Sequence, residues 1–267
     1  MNNKKRIALI YDFDKTLSTK NMQEFTLFRE LNLSPREFWD IAQQVADESK
    51  MDNILAFMYV TILEMKKRNI KLTKNLLNSH GNDIEFYDGV ETWFDRINKY
   101  SQKLNVEIEH YIISAGLKEI IDGSKIAKEF KCIFASEYHY DKEGVADWPL
   151  ISINYTGKTQ YLYRINKQVL EINDDDGINS FMAENDRPIP FSNMIYIGDG
   201  LTDVPCMKLV KQNGGCSIAV TTEKTNKIVN ELKDAKRVDF ICNADYSNNS
   251  ELDKTIKAII EYIARKI

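Results

Sequence analysis

The first 80 residues of this 267-residue chain contain no glycine, and all eleven glycines lie between Gly81 and Gly215. Proline is also scarce in that first stretch, where Pro35 stands alone. Because glycine and proline are the residues that most weaken helices, this scarcity favours long helices. We predict an amphipathic helical bundle over residues 20–85, after a first short strand.

One helix start in this bundle can be placed from four consecutive residues. Ser34 is a favoured N-cap residue, and Pro35 suits the first helical position. Glu37 stands where a capping box needs an acidic side chain. The pattern therefore predicts a helix that begins at Pro35.

Cysteine pairs, long apolar runs and basic blocks are all missing. The four cysteines lie far apart without a C-x-x-C pair, so neither a zinc knuckle nor a disulfide framework is indicated. Apolar runs stop well short of a bilayer span, and no signal-peptide pattern follows Met1. Lys and Arg number 36 against 40 Asp and Glu, with no basic block to track a nucleic-acid backbone. We expect a soluble, cytoplasmic protein that binds neither nucleic acid nor membrane.

From Val90 onward, short apolar runs alternate with helical segments. The runs are IEHYIISA, CIFASEY, MIYIGDG, CSIAVT and VDFICNA. Such alternation predicts βαβ units around a parallel sheet with right-handed crossovers, so the fold class is α/β. The turn residues Asp141 to Gly144 predict a hairpin after the third core strand.

Four short polar strings recur along this pattern, and three of them follow an apolar run. The runs ALIY, YII and MIYI are each typical of a buried parallel strand. Open α/β sheets build their active sites where such strands end. The strings are Asp12-Phe13-Asp14-Lys15-Thr16, Ile113-Ser114-Ala115-Gly116, Gly157-Lys158-Thr159 and Gly198-Asp199-Gly200-Leu201-Thr202-Asp203.

The carboxylates of these strings suit a divalent cation. Residues two apart in an extended segment point the same way, so Asp12 and Asp14 face one cavity and repel each other unless a cation or a proton intervenes. Mg²⁺ prefers oxygen ligands and few protein carboxylates, and Asp12, the Asp14 carbonyl and Asp199 form a suitable set. Asp203 would orient Asp199 or a bound water.

A dinucleotide site is the competing interpretation of the fourth string, which begins as G-x-G-x-x. Asp203 replaces the third glycine of that fingerprint, and the string lies late in the chain rather than after the first strand. We therefore discount a nicotinamide or flavin site.

The order of these motifs resembles the haloacid dehalogenase superfamily of phosphohydrolases. The resemblance covers residues 1–20 and 85–220 and rests on DFDKT together with GDGLTD nearly two hundred residues later. It implies a Rossmann-like, three-layer α/β core with a parallel sheet and an inserted all-helical cap of the phosphoserine phosphatase type. We assign residues 1–19 and 86–267 to the core domain and residues 20–85 to the cap domain.

The same resemblance implies a role for each polar residue. Asp12 would be the nucleophile that forms an aspartyl-phosphate, and Asp14 the acid that protonates the leaving oxygen and then the base that activates water. The Ser114 hydroxyl and the backbone N–H groups of Ala115 and Gly116 would hold phosphoryl oxygens.

A lysine would complete the phosphate site, and two candidates are available. Lys158 precedes a plausible helix and would place a positive charge against the phosphate and the nucleophile. Lys167 is the alternative, because the 41 residues from Lys158 to Asp199 exceed what we expect in compact phosphoserine phosphatases. We favour Lys158, with an insertion at 173–190 accounting for the extra length.

We expect a Mg²⁺-dependent phosphatase that acts on a small phosphorylated metabolite, with the cap closing over the site. A phosphotransferase or mutase that uses the same aspartyl-phosphate is an alternative, and a phosphate-binding regulatory module without turnover is another. Phosphoserine phosphatases place an acidic residue early in the cap to meet the substrate amino group. Among Asn21, Gln23 and Glu24, only Glu24 could serve in that way. The ester and the oligomeric state stay open.

Overall fold

A seven-stranded sheet organises the chain in the computed structural model, which describes residues 4–222 and 237–266. The strand order across the sheet is β4-β3-β2-β1-β5-β6-β7, and every adjacent pair is parallel except the antiparallel pair β3–β4. The predicted α/β class and the predicted hairpin are therefore confirmed. The strands are β1 Lys5–Tyr11, β2 Val106–Leu117, β3 Cys132–Tyr140, β4 Ala146–Ile151, β5 Met194–Gly198, β6 Cys216–Thr221 and β7 Phe240–Asn243.

Helices cover both faces of this sheet and also fill the long connection between β1 and β2. In the described ranges they are α1 Leu27–Glu30, α2 Pro35–Ser49, α3 Asn53–Lys67, α4 Lys74–His80, α5 Val90–Gln102, α6 Lys118–Asp122, α7 Thr159–Lys167, α8 Asp175–Asn179, α9 Val204–Gln212 and α10 Glu251–Arg265. No helix in these ranges combines the length and the apolar character that crossing a membrane requires.

The central strand β1 shows how the three layers form. Its residues from Ile7 to Tyr11 are all buried. Ile7 and Leu9 pack into the apolar cluster that α5 and α10 share, whereas Ala8 and Ile10 pack into the cluster under α7 and α9. Because successive side chains of a strand point to opposite faces, a strand buried on both faces must be apolar throughout.

The four helices α1 to α4 form the inserted segment, as predicted. Helix α2 begins at Pro35 with the predicted capping box: the Ser34 Oγ accepts a hydrogen bond from the Glu37 backbone N–H at 3.2 Å, and Glu37 Oε2 accepts one from the Ser34 N–H at 2.8 Å. Phe38 on α2 and Met58 on α3 are buried in the packing between these helices and the core.

The β3–β4 hairpin ties the inserted helices to the sheet. The Tyr138 hydroxyl on β3 donates a hydrogen bond to the Met58 carbonyl on α3 at 2.9 Å. The Ala146 N–H on β4 donates to the Leu72 carbonyl, between α3 and α4, at 2.8 Å. The inserted segment is thus held over one end of the sheet by contacts from the core.

Strand β2 is longer than the sequence pattern predicts. It continues past Ser114 to Leu117, where its pairing with β3 shifts register, and α6 covers only Lys118–Asp122. Helix α6 begins directly after this longer strand, so Ala115 and Gly116 lie in the strand and not at a helix start. This difference affects how Ser114, Ala115 and Gly116 present their polar groups.

Candidate active site

The carboxyl ends of β1, β2 and β5 bring the predicted site residues to one edge of the sheet. Tyr11 pairs with Ile112 on one side and with Ile197 on the other. The Asp12 N–H, just beyond β1, donates a hydrogen bond to the Ile197 carbonyl at 2.9 Å. Asp199 follows two residues later, so strand pairing alone places Asp12 and Asp199 side by side.

Three carboxylates form a tight acidic cluster at this edge. One oxygen each from Asp12, Asp199 and Asp203 lies within 4.8 Å of the other two. Within residues 4–222 and 237–266, no hydrogen bond or ion pair reaches the Asp199 carboxylate. Burial raises the pKa of Asp199 to about 8, and repulsion from Asp203 and Asp12 adds to that rise.

Lys158 lies between two of these carboxylates. Its Nζ donates hydrogen bonds to Asp12 Oδ1 at 2.8 Å and to Asp203 Oδ1 at 2.7 Å, and its side chain is only 1% exposed. Burial alone would lower the pKa of Lys158, but attraction from Asp12 and Asp203 outweighs it and raises the pKa. Lys167 lies elsewhere and donates to the carbonyls of Ile178 and Ser180.

Asp203 has the contacts of a positioning group. Besides Lys158, its carboxylate accepts hydrogen bonds from the Tyr196 hydroxyl at 2.8 Å and from the Gly200 N–H at 3.4 Å. A Cβ on Gly198 would lie 2.5 Å from the Asp203 Cγ. Glycine at position 198 is therefore what allows Asp203 to pack against the end of β5.

Asp14 faces a cavity instead of the acidic cluster. Its Oδ1 accepts a hydrogen bond from the Met22 N–H at 2.8 Å. Burial raises the pKa of Asp14 to about 8, and repulsion from Asp12 contributes. At neutral pH this carboxyl is therefore largely protonated and can donate a proton.

The β2 segment borders the same cavity. Ser114 is buried, and its Oγ accepts a hydrogen bond from the Gly116 N–H at 3.0 Å. Ala115 and Gly116 line the cavity beside Asp14. A side chain at position 116 would overlap the Met22 side chain, so glycine there lets the inserted segment approach β2 closely.

The cavity itself has a volume of about 300 Å³ and lies between the core and the inserted helices. The helical side contributes the amides Asn21, Gln23, Gln43 and Asn53 and the apolar residues Trp39, Ala42, Ile54 and Phe57. Glu24 is not among the described residues that line it. The Glu24 carboxylate instead accepts a hydrogen bond from the Asn21 amide.

Comparison with known families now identifies the architecture. A family model described as haloacid dehalogenase-like hydrolase matches residues 9–208, which include Asp12, Ser114, Lys158 and Asp203. The chain belongs to the haloacid dehalogenase-like hydrolases. It is therefore an enzyme of the hydrolase class.

Two further proteins resemble this hydrolase. An uncharacterized protein of Borreliella burgdorferi is 29% identical over 272 residues, covering 92% of this chain and 93% of that protein. The crystal structure of a HAD family hydrolase from Salmonella enterica serovar Typhi superposes with a TM-score of 0.61 at 18% identity, over 96% of this chain and 72% of that one.

Phosphoserine phosphatases share the fold of this hydrolase as well. A structure described as a phospho-aspartyl intermediate analogue of phosphoserine phosphatase gives a TM-score of 0.57 at 15% identity, over 96% of this chain and 99% of that one. A substrate-bound phosphoserine phosphatase complex gives 0.56 at 14% identity, over 96% and 99% of the two chains. At these identities the likeness is one of fold.

The acidic cluster of the hydrolase fits a divalent cation. Asp199 has like-charged neighbours in Asp12 and Asp203, and its carboxylate has no donor among the described residues. A cation beside Asp199 would relieve the repulsion that raises its pKa, and an all-oxygen donor set is the kind that Mg²⁺ takes.

Some residues of the site were not identified from the sequence. Tyr196 is the third residue of β5, and its place in the strand does not distinguish it from a buried core tyrosine. Its hydroxyl nevertheless donates a hydrogen bond to Asp203. Gln23, which was set aside above in favour of Glu24, lines the cavity, and so does Trp39, which helical periodicity does not distinguish from a core aromatic residue. Their position depends on how the inserted helices pack over the sheet.

Proposed function

We propose that this hydrolase is a Mg²⁺-dependent phosphatase that cleaves a small phosphomonoester through an aspartyl-phosphate on Asp12. The observation that carries the proposal is Lys158, whose Nζ bonds both Asp12 and Asp203 next to Asp199. A buried cation beside a carboxylate nucleophile attracts an anionic ester that the carboxylates alone would repel.

In the first step, an Asp12 carboxylate oxygen forms a bond to phosphorus while the bond from phosphorus to the ester oxygen breaks. Asp14 gives its proton to that leaving oxygen, so the alcohol departs neutral. In the second step Asp14, now a carboxylate, takes a proton from water as the water oxygen attacks phosphorus. The Asp12 carboxylate and inorganic phosphate are released.

The cation and phosphate ligands in this proposal come from the sequence prediction. Asp12, the Asp14 carbonyl and Asp199 would hold Mg²⁺, with Asp203 orienting them, and the bound ion would neutralise charge on the phosphoryl group. The Ser114 hydroxyl accepts a hydrogen bond from Gly116 and keeps its own proton to donate to a phosphoryl oxygen. The Ala115 N–H and the Lys158 ammonium would complete the phosphate site, while the Gly116 N–H, which donates to Ser114 Oγ, would hold that hydroxyl in place.

The inserted helices also have a role in the proposed reaction. Residues 20–85 would act as a cap domain on the core formed by residues 1–19 and 86–267, and the cavity between them would hold the leaving group. The substrate is proposed to be a small phosphorylated metabolite. The four cysteines all lie within the described ranges as free thiols, which suits a reducing compartment, so the cytoplasm is the proposed place of action.

The test is hydrolysis of p-nitrophenyl phosphate by purified protein with and without Mg²⁺, compared with Asp12→Asn. We expect turnover that needs the metal and falls by at least about a thousandfold in Asp12→Asn, since the nucleophile is lost. Metal-independent turnover, or an active Asp12→Asn variant, would contradict the mechanism.

Asp14→Asn separates the acid role from the nucleophile role. The p-nitrophenolate leaving group departs without protonation, whereas an alkoxide does not. We therefore expect Asp14→Asn to lose about 10² to 10⁴-fold on an alkyl phosphate and much less in the first step on p-nitrophenyl phosphate. Trapped aspartyl-phosphate in that variant would support the assignment, and equal loss of phosphorylation rate on both esters would oppose it.

A further inference from the structure

Asp14 determines which part of the substrate would occupy the cavity. Its Oδ1 accepts the hydrogen bond from the Met22 N–H at 2.8 Å, and no described residue bonds its Oδ2. Asp14 and Gly116 both line the cavity. Because an acid must come within hydrogen-bond distance of the oxygen that it protonates, the group attached to the leaving oxygen enters this cavity rather than the acidic cluster.

The inserted helices give this cavity an apolar wall. Trp39 and Ala42 on α2 line it, and so do Ile54 and Phe57 on α3. Residues three apart lie on the same face of a helix, so each pair forms a continuous surface. Trp39 and Ile54 are only half-buried, whereas Ala42 and Phe57 are buried. The open surface of this wall is therefore mainly the Trp39 indole and the Ile54 side chain.

The Trp39 ring is held in place by its neighbours in the inserted segment. Its centroid lies 5.6 Å from that of Phe28, 5.4 Å from that of Phe38 and 6.0 Å from that of Phe57, at interplanar angles of 86°, 83° and 70°. Among the described residues, no aromatic ring stacks parallel on the indole. A ring that is fixed in advance and still half-exposed can stack a flat ligand at a small entropic cost.

The amides of the lining do little to offset this apolar character. The amides of Asn21 and Gln43 already donate hydrogen bonds to carboxylates of the inserted segment. Gln23 is 2% exposed and presents almost no surface to a ligand, and Asn53 is exposed to solvent. Asp14 is the one ionisable side chain among the described lining residues, so a charged leaving group would find no cation.

Resting on the proposed phosphatase function, we infer that the substrate is the phosphomonoester of an uncharged alcohol that carries a flat apolar ring, with the ring against Trp39 and the ester oxygen at Asp14. Stacking on the indole would hold that oxygen against its acid. A cavity of about 300 Å³ is at the small end of ligand pockets, which favours a single ring system over a nucleoside.

The first experiment measures kcat/KM with the full chain and Mg²⁺ for esters whose leaving alcohols have similar acidity. Benzyl phosphate carries a flat apolar ring, cyclohexylmethyl phosphate a puckered one, glycerol 3-phosphate hydroxyls and phosphoserine charges. We expect benzyl phosphate to exceed glycerol 3-phosphate and phosphoserine by about 10- to 100-fold and cyclohexylmethyl phosphate by about threefold or more.

The outcomes of this panel distinguish the inference from the function on which it rests. An equal or higher kcat/KM for glycerol 3-phosphate or phosphoserine overturns the inference and leaves the phosphatase proposal intact. An equal or higher value for cyclohexylmethyl phosphate overturns the flat ring. No hydrolysis of any ester, p-nitrophenyl phosphate included, overturns the phosphatase proposal itself.

The second experiment compares Trp39→Leu with Trp148→Leu. Trp148 on β4 is 70% exposed and does not line the cavity, so it serves as the matched control. The quantity compared is the ratio of kcat/KM for benzyl phosphate to kcat/KM for glycerol 3-phosphate. We expect this ratio to fall by about 10- to 100-fold in Trp39→Leu and to stay within about threefold in Trp148→Leu.

Trp39→Phe separates recognition of the ring from a packing role of Trp39. Phenylalanine keeps a flat ring at this position, so the ratio is expected to stay within about fivefold of the wild-type value even if the melting temperature falls. A ratio that is unchanged in Trp39→Leu, with equal loss on both esters and a lower melting temperature, would make Trp39 a packing residue and overturn its assignment.

Discussion

Asp52, at the N-terminus of α3 in the inserted segment, accepts a hydrogen bond from the side-chain amide of Asn154 in the core. The same Asp52 carboxylate caps α3 by accepting from the N–H groups of Ile54 and Leu55 at 3.0 and 3.1 Å. The Asn154 carbonyl in turn accepts from the Lys158 N–H at 3.0 Å. One short chain of bonds therefore joins the inserted helices to the turn that carries Lys158.

Asn154→Ala is expected to weaken this connection without touching the acidic cluster. We predict a fall in kcat/KM for p-nitrophenyl phosphate of about three- to tenfold, since one hydrogen bond to a charged group is lost at a partly exposed site. Steady-state kinetics check it. Asn179→Ala is the control, because Asn179 is exposed and its side chain bonds the Asp175 carbonyl of the same short helix. Equal kinetics in the two variants would show that the Asp52 contact has no effect on the site.

Local sequence signals predicted the parts of the fold that local physics determines. The predicted start of α2 was correct because Ser34 and Glu37 form hydrogen bonds with each other within one turn. The predicted end of β2 was wrong because the last residues of this strand are set by pairing with β3, where Leu117 lies opposite Ser136. That pairing joins residues 19 positions apart and leaves no mark in the pattern around Ser114.

The residues of the site also fall into two groups, those that local sequence signals reveal and those that they do not. Asp12 and Asp199 were identifiable because each follows a buried strand, and parallel strands bring their ends together. The contact of Asn154 with Asp52 spans 102 residues and involves two common polar side chains, so no spacing rule reveals it. Gln23 and Glu24 are neighbours in one short helical turn. Gln23 lies on the side of the turn that lines the cavity, whereas Glu24 does not.

The two candidate lysines offer a matched pair of variants. Lys158→Met removes the cation between Asp12 and Asp203, and we expect turnover to fall by more than about a hundredfold. Leaving two buried carboxylates without their partner also costs about 3–5 kcal/mol of the free energy of unfolding. Among the described residues Lys167 bonds two carbonyls and no carboxylate of the site, so the turnover of Lys167→Met should stay within about threefold. If Lys167→Met were the inactive variant, Lys158 would not be the phosphate lysine.

Protons and Mg²⁺ are expected to compete for the acidic cluster. Burial raises the pKa of Asp199 to about 8, and burial, opposed by Lys158, raises that of Asp12 to about 6. Binding of the cation must displace these protons, so the Kd for Mg²⁺ should fall as pH rises from 6 to 8.5, by up to about tenfold per unit for each proton displaced. Titration calorimetry in buffers of different ionisation enthalpy measures both quantities. A Kd that does not change with pH would contradict the expectation.

The same shifts fix the sign of the stability change without metal. The folded pKa values lie above the ordinary carboxylate value of about 3.9, so the folded protein keeps protons that the unfolded chain releases between about pH 4 and pH 8. The contribution of these groups to the free energy of unfolding is therefore largest at low pH and is lost as pH rises through that window. Added Mg²⁺ should stabilise the protein most at the high end, which thermal unfolding at several pH values can show.

Gly198 and Gly200 flank Asp199 but differ in the space around them. A Cβ at position 198 would lie 2.5 Å from Asp203 Cγ, whereas one at position 200 would meet nothing within 4 Å. Gly198→Ala must therefore push Asp203 away from Tyr196 and Lys158.

We expect Gly198→Ala to lose about 10- to 100-fold in kcat, because a displaced Asp203 no longer holds Lys158 against Asp12. Gly200→Ala should keep its rate within about threefold, since its backbone N–H still reaches Asp203. Rates and melting temperatures measured for both variants decide the matter. A fully active Gly198→Ala variant would mean that Lys158 does not depend on Asp203 for its position, and a variant that lost stability alone would assign Gly198 to packing rather than to the site.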